Sequence, residues 1–171
     1  MNQQYREYLI RSWQPSDRQA VSDVVETVLA EYGMEFEPND SDQDAIQVEK
    51  YYWQTGGEFW VVERCGKVVG SGAYHPTHRA ELGVELRKMF ILPSDRGKGL
   101  GRYLLRNLEH SAVSNGFAEM WLETATVLRS AIALYERSGY QLSTGVETQR
   151  CDRVYHKALR VPSVARLPLA S

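Results

Sequence analysis

Apolar residues along this chain keep changing their spacing, and each change marks an element. From Tyr8 to Trp13 the spacing is that of a strand, closed by Gln14-Pro15. Val21, Val24, Val25, Val28, Leu29 and Tyr32 then recur three and four apart until Gly33, which predicts an amphipathic helix with Ser16 and Gln19 as its capping box. An acidic loop from Met34 to Asp44 leads to a second expected helix, Ala45 to Trp53, stopped at Gly56-Gly57. Phe59 to Val62 and Val68 to Tyr74 read as strands joined in a hairpin by Arg64-Cys65-Gly66-Lys67.

The expected strand from Val84 to Leu92 carries a fault in its alternation. Val84 and Leu86 keep one phase, Met89 and Ile91 the other, so the pattern slips by one residue around Arg87-Lys88. One extra residue is the trace of a β-bulge, a feature frequent beside active sites. A strand buried on both faces would also blur the alternation. Downstream, Leu100, Tyr103, Leu104, Leu108 and Ala112 mark a helix ended by Asn115-Gly116. Met120 to Thr124 is a short strand, Arg129 to Ser138 a helix stopped by Gly139, and Tyr140 to Ser143 and Val154 to Leu159 closing strands. Alternating strands and helices predict an α/β chain with a mixed sheet covered by helices on both faces. A ligand is expected at the carboxyl ends of the strands.

Composition narrows the class. The chain of 171 residues, 43% hydrophobic, fits a single domain over 1–171, with a core of about 8–159 and a tail at 160–171. A net charge of -2 and the lack of a basic run argue against nucleic acid as partner. No apolar run approaches the roughly 20 residues of a membrane span, and the first residues lack a signal layout, so a cytoplasmic protein is the simplest reading. Cys65 and Cys151 are expected as reduced thiols, and His75, His78, His110 and His156 show no metal spacing, so no metal is expected.

The densest chemistry is Arg96-Gly97-Lys98-Gly99-Leu100-Gly101, set between the faulted strand and a helix. Glycines at a helix start bare several N–H groups toward one anion, and Arg96 and Lys98 add charge at that mouth. The spacing is not that of a P-loop, since Lys98 precedes Gly99 rather than Ser or Thr. Nor is it a dinucleotide fingerprint, since Gly101 follows Gly99 by two.

This loop, after a strand ending at Pro93, resembles the coenzyme A pyrophosphate loop of the GNAT superfamily of N-acetyltransferases. The resemblance extends to Glu85-Leu86-Arg87-Lys88-Met89-Phe90-Ile91-Leu92-Pro93, which looks like the family's fourth strand, and to Ala131-Ile132-Ala133-Leu134-Tyr135-Glu136 with Gly139-Tyr140, which looks like its last helix. It implies a mostly antiparallel sheet with a splayed central parallel strand pair. It also implies acetyl-coenzyme A as cosubstrate, with pantetheine pairing to backbone at Met89, Phe90 and Ile91 and pyrophosphate on the N–H groups of Arg96 to Gly101. Many members carry asparagine three residues before the alanine matching Ala131, where this chain has Leu128.

The implied reaction is acetyl transfer to a primary amine of a small molecule, by direct attack in a ternary complex. An ammonium with a pKa near ~10.4 must lose a proton before attack, so a carboxylate is needed. Glu85 is the first candidate and Glu123 the second, each also readable as an ordinary surface charge paired with a base. A backbone N–H freed by the bulge near Met89 or Phe90 would meet the oxyanion, and Tyr135 corresponds to the tyrosine that protonates the departing thiolate. The acceptor wall is expected from Tyr32, Phe36, Glu37 and Tyr51-Tyr52-Trp53, whose acids and aromatics suit a cation. A protein or peptide acceptor and a non-catalytic acyl-coenzyme A sensor remain open alternatives. Dimers are common in the family, and this sequence does not decide whether the chain forms a homodimer.

Overall fold

The computed structural model describes residues 1–159, so the tail expected at 160–171 lies outside the described residues. One sheet of eight strands is formed by β1 (Asn2–Tyr5), β2 (Tyr8–Ser12), β3 (Glu58–Arg64), β4 (Lys67–Pro76), β5 (Gly83–Ile91), β6 (Glu119–Thr124), β7 (Gln141–Ser143) and β8 (Arg153–Ala158). Their spatial order is β1-β2-β3-β4-β5-β6-β8-β7. Every neighbouring pair is antiparallel except β5 and β6, which are parallel. The helices are α1 (Arg18–Glu31), α2 (Gln43–Ile46), α3 (Val48–Tyr51), α4 (Leu100–Ser114) and α5 (Arg129–Arg137).

Strand alternation divides the apolar residues between two cores. In β3, Phe59 and Val61 face α1 and pack with its Val21, Val25 and Leu29. Trp60 and Val62 face the other way and pack with Leu100, Leu104, Leu105 and Leu108 of α4. Each fully buried aliphatic side chain contributes about 1.5–3 kcal/mol, so the sheet is held from both sides. This is the layered mixed sheet expected from the sequence.

The bulge is present. Ser71 pairs with Phe90 and Ala73 with Arg87, so Lys88 and Met89 together oppose Gly72. Lys88 takes a left-handed φ of 49°, and the Ser71 hydroxyl donates to its carbonyl at 2.6 Å. The expected hairpin also forms, with Cys65 and Gly66 both left-handed between β3 and β4.

Three expectations are corrected. β1, too polar to show in the pattern, extends the sheet beyond Tyr8. The capping box falls at Gln14 and Asp17 rather than Ser16 and Gln19, because Asp17 accepts the Gln14 N–H at 2.8 Å while gripping Arg11 at 2.7 Å. The helix expected over Ala45 to Trp53 breaks into α2, α3 and a 3-10 turn at Trp53–Thr55. Arg18 takes the Ile46 carbonyl, and the Lys50 N–H bonds to Gln47 instead.

Beneath the glycine loop, Asp95 is fully buried. It accepts from Tyr8 Oη at 2.9 Å and Ser94 Oγ at 2.8 Å and lies 3.0 Å from Arg64 Nε. Asp95→Ala leaves these partners without their acceptor and is expected to cost about 3 kcal/mol, read as a lowered urea midpoint. Tyr8→Phe, which removes one hydrogen bond, should cost about 1 kcal/mol on the same measurement.

Candidate active site

β5 and β6 are paired only from Gly83 opposite Glu119 to Leu86 opposite Leu122. Past the bulge, Phe90 and Ile91 stay with β4, and the two parallel strands part. The gap opens into a cleft of about 580 Å³. Every residue given a catalytic or coenzyme-binding role from the sequence lines it, with the exception of Lys98, whereas of the expected acceptor wall only Tyr32 does.

One end of the cleft is the glycine loop. Gly97 and Gly99 have φ of 75° and 79°, and no side chain caps α4. The Tyr103 N–H takes the Gly99 carbonyl, so the N–H groups of Leu100, Gly101 and Arg102 precede the first helical bond and project from the positive helix end. The loop is braced from behind by Tyr5 Oη, which donates to the Lys98 carbonyl at 3.1 Å. The Lys98 ammonium donates to Tyr8 Oη at 3.0 Å and so turns away from the mouth it was expected to charge. Arg96 lines the cleft, but its guanidinium is held by Glu31 at 2.7 and 3.0 Å and by the Ile91 carbonyl at 2.8 Å. Arg102, unmarked in the sequence, is the exposed cation beside the loop; its place in the first turn after Gly101 was the available signal.

At the other end lie the two candidate carboxylates. Glu85, nearly buried on β5, accepts from Arg87 Nη1 at 3.2 Å. Glu123 on β6 takes Arg79 Nη2 at 2.6 Å and the N–H groups of Glu147 and Thr148 at 2.6 and 2.8 Å. These bonds commit Glu123 to holding the β7–β8 loop. Tyr135 on α5 lines the cleft with its ring against Tyr140, and burial pushes its hydroxyl well above the ordinary tyrosine range, so it stays protonated. Burial also pushes the Cys151 thiol up to about 11, which leaves this cleft-lining cysteine a poor nucleophile at neutral pH.

The acidic loop behaves differently from expectation. Asp42 and Asp44 are buried and bound internally: Lys88 Nζ lies 2.9 Å from an oxygen of each, and Arg87 Nε lies 3.1 Å from Asp44. Tyr52 is core and donates to Asp44 at 2.5 Å. Arg150 crosses from the β7–β8 loop to grip both oxygens of Asp42 at 2.6 and 2.7 Å. That loop is therefore a strap over the cleft, anchored at Glu123 and Asp42. A second cleft of about 400 Å³ opens beside it, lined by Asp40, Asp44, Glu147, Tyr51 and His75, and shares Arg87 and Thr148 with the first.

Residues 24–140 match the model of the acetyltransferase (GNAT) family. The chain belongs to this family. It is 40% identical over 128 residues to the uncharacterized N-acetyltransferase YjgM of Escherichia coli (strain K12), covering 73% of this chain and 77% of that one. An acetyltransferase structure from Streptococcus agalactiae 2603 superposes with a TM-score of 0.82 at 25% identity, over 91% of this chain and all of that one. The GNAT superfamily phosphinothricin acetyltransferase of Sinorhizobium meliloti, solved in complex with acetyl-coenzyme A, gives 0.71 at 20% identity over 90% and 89% of the two chains.

As a GNAT enzyme the protein is an acetyl-coenzyme A-dependent acetyltransferase. The cofactor fits the residues present: unpartnered N–H groups at the start of α4 suit a diphosphate, and the β5 edge freed from β6 suits an extended arm. Among the described residues no group of His, Cys, Asp and Glu is placed to hold a metal ion, and no helix is long and apolar enough to cross a membrane.

Two predictions follow from this geometry. A Cβ on Gly101 would meet Leu134, Ile91 and Met89 at 3.5–4.0 Å, in ordinary contact. Gly101→Ala should therefore keep acetyl-coenzyme A affinity within about threefold, whereas Gly101→Glu, which adds bulk and negative charge at the cradle, should weaken it at least ~100-fold by calorimetry. Burial works against ionisation of Asp42, but Arg150, Lys88 and the Glu37 N–H outweigh it and hold its carboxyl down at about 2. With its folded value below the ordinary 3.8, Asp42 stabilises the fold by about 2 kcal/mol above pH 4 and loses that contribution as pH falls toward 2. The difference in urea stability between wild type and Asp42→Asn should shrink across that window.

Proposed function

We propose that this enzyme transfers the acetyl group directly to a primary amine of a small molecule, with donor and acceptor bound together across the gap between β5 and β6. The observation that carries the reading is a pair of clefts of opposite character meeting at Arg87. The larger is lined by six cationic residues against two carboxylates, and suits an anionic coenzyme. The smaller has three carboxylates, Asp40, Asp44 and Glu147, against Arg87, and suits a cationic amine. At about 400 Å³ under the strap, it fits a small molecule.

Acetyl-coenzyme A supplies a thioester activated toward amines, and the chain's own residues handle the charges. Glu85, at the meeting point, accepts the ammonium proton, leaving the amine lone pair free to attack. Where the bulge at Lys88 and Met89 interrupts the pairing with β4, a main-chain N–H serves as donor to the carbonyl oxygen as negative charge develops on it. Tyr135, kept protonated by burial, passes its proton to the departing sulfur as the C–S bond breaks and takes up the second proton released by the attacking nitrogen, so it ends as it began. Direct transfer is favoured because Cys151 stays a thiol and is no acyl carrier.

The test is free-thiol release from acetyl-coenzyme A with amino acids, polyamines, aminoglycosides and short peptides as acceptors. Turnover of a free amine is expected, and turnover of peptides alone would replace the small-molecule reading. Glu85→Gln and Tyr135→Phe should each lower kcat about 10²-fold while acetyl-coenzyme A binding, measured by calorimetry, stays within about twofold.

A further inference from the structure

The proton that Glu85 accepts has to leave before the next turnover, and Glu85 is nearly buried behind Arg87. Its cross-strand partner is His75: in the β4–β5 register His75 stands directly opposite Glu85, and Ala73 opposite Arg87. Tyr74, Val84 and Leu86 point into the core under α4, so His75 and Glu85 share the opposite face. Directly opposed residues of an antiparallel pair have their β-carbons about 4.5–5.5 Å apart. Glu85 lines the larger cleft and His75 the smaller, so together they span the sheet surface between the two.

The imidazole is oriented by its surroundings. His75 Nδ1 lies 2.8 Å from the Pro76 carbonyl, which can only accept, so the proton is on Nδ1 and Nε2 carries the lone pair. The ring is met edge-on by Tyr52, centroid to centroid 5.7 Å at 69°, and Tyr52 is itself fixed in the core. The charged groups around it are Glu85 and Arg87 from β5, Asp40 and Asp44 from the loop and α2, and Glu147 from the strap.

We propose that His75 is the proton outlet of the site, acting through Glu85. This rests on the reading of Glu85 as the base. The acceptor N–H bond breaks and an O–H bond forms on Glu85. That O–H then breaks as a proton passes, by way of water beside Arg87 where the two clefts adjoin, to the lone pair on His75 Nε2, giving an imidazolium. The Nε2–H bond finally breaks to solvent in the smaller cleft, and both groups return to their starting state with no other reactant consumed. Imidazole is the side chain suited to this, since its proton comes and goes near neutral pH.

His75→Asn keeps a donor for the Pro76 carbonyl but has no group to carry a proton, so it separates relay from support. With the amine turned over fastest in the acceptor panel, its kcat should fall at least ~10-fold, with KM for acetyl-coenzyme A within about twofold. The kcat of His75→Ala should recover when free imidazole is added on the order of tens of millimolar, the exogenous base filling the space of the lost ring. Wild-type kcat in His75→Asn, or no recovery with imidazole, overturns the proposal. Full kcat in Glu85→Gln overturns the base reading itself, and the relay with it. A further readout needs no acceptor: nitrogen NMR should find neutral His75 protonated at Nδ1, and a proton on Nε2 instead would overturn the proposal.

Discussion

The bulge at Lys88 is the constraint on which the site depends. A non-glycine residue in the left-handed region costs of order 1 kcal/mol, and an ammonium buried in a sheet costs more unless it is paired. Both are met locally: Ser71 bonds the Lys88 carbonyl, while Asp42 and Asp44 bracket its ammonium. Holding this one residue in place keeps Phe90 and Ile91 on β4 and denies them to β6. The gap between the parallel strands is therefore built in and does not wait for a ligand to open it.

The charges around the bulge form an alternating chain, from Glu85 through Arg87, Asp44, Lys88 and Asp42 to Arg150. Three acids and three bases balance, so a buried polar cluster exists without net charge. The same chain ties three distant segments together: the loop before α2, the strand β5 and the strap. The cleft's end at Glu85 and the strap is held by electrostatics, whereas the end at the glycine loop is held by backbone geometry at the start of α4.

Much of this was legible in the sequence because it is local. The slip between Leu86 and Met89 located the bulge, and the glycine spacing located the uncapped start of α4, since each depends on neighbours within a few residues. Direction of long side chains was not legible. Lys98 sits in the cradle sequence yet points to Tyr8, 90 residues away, and Asp42 looks like one more acid in a solvated loop until Arg150, 108 residues on, reaches it. The helix expected at Ala45 to Trp53 fails for the same reason, through Arg18 on another element. His75 was read in the sequence only for metal spacing, because its place opposite Glu85 is a matter of register, which pairing alone reveals.

The order of strands has a consequence for how the molecule assembles. β1 to β5 are neighbours in space as in sequence; short turns join β1 to β2, β3 to β4 and β4 to β5, while α1, α2 and α3 intervene between β2 and β3. β6 joins only after the α4 crossover, along four residue pairs, and β8 must then slot between β6 and β7. The gap lies beside that seam, so the four residue pairs joining β5 to β6 set where it begins. Amide exchange at Val84 and Leu86 reads the strength of that junction directly.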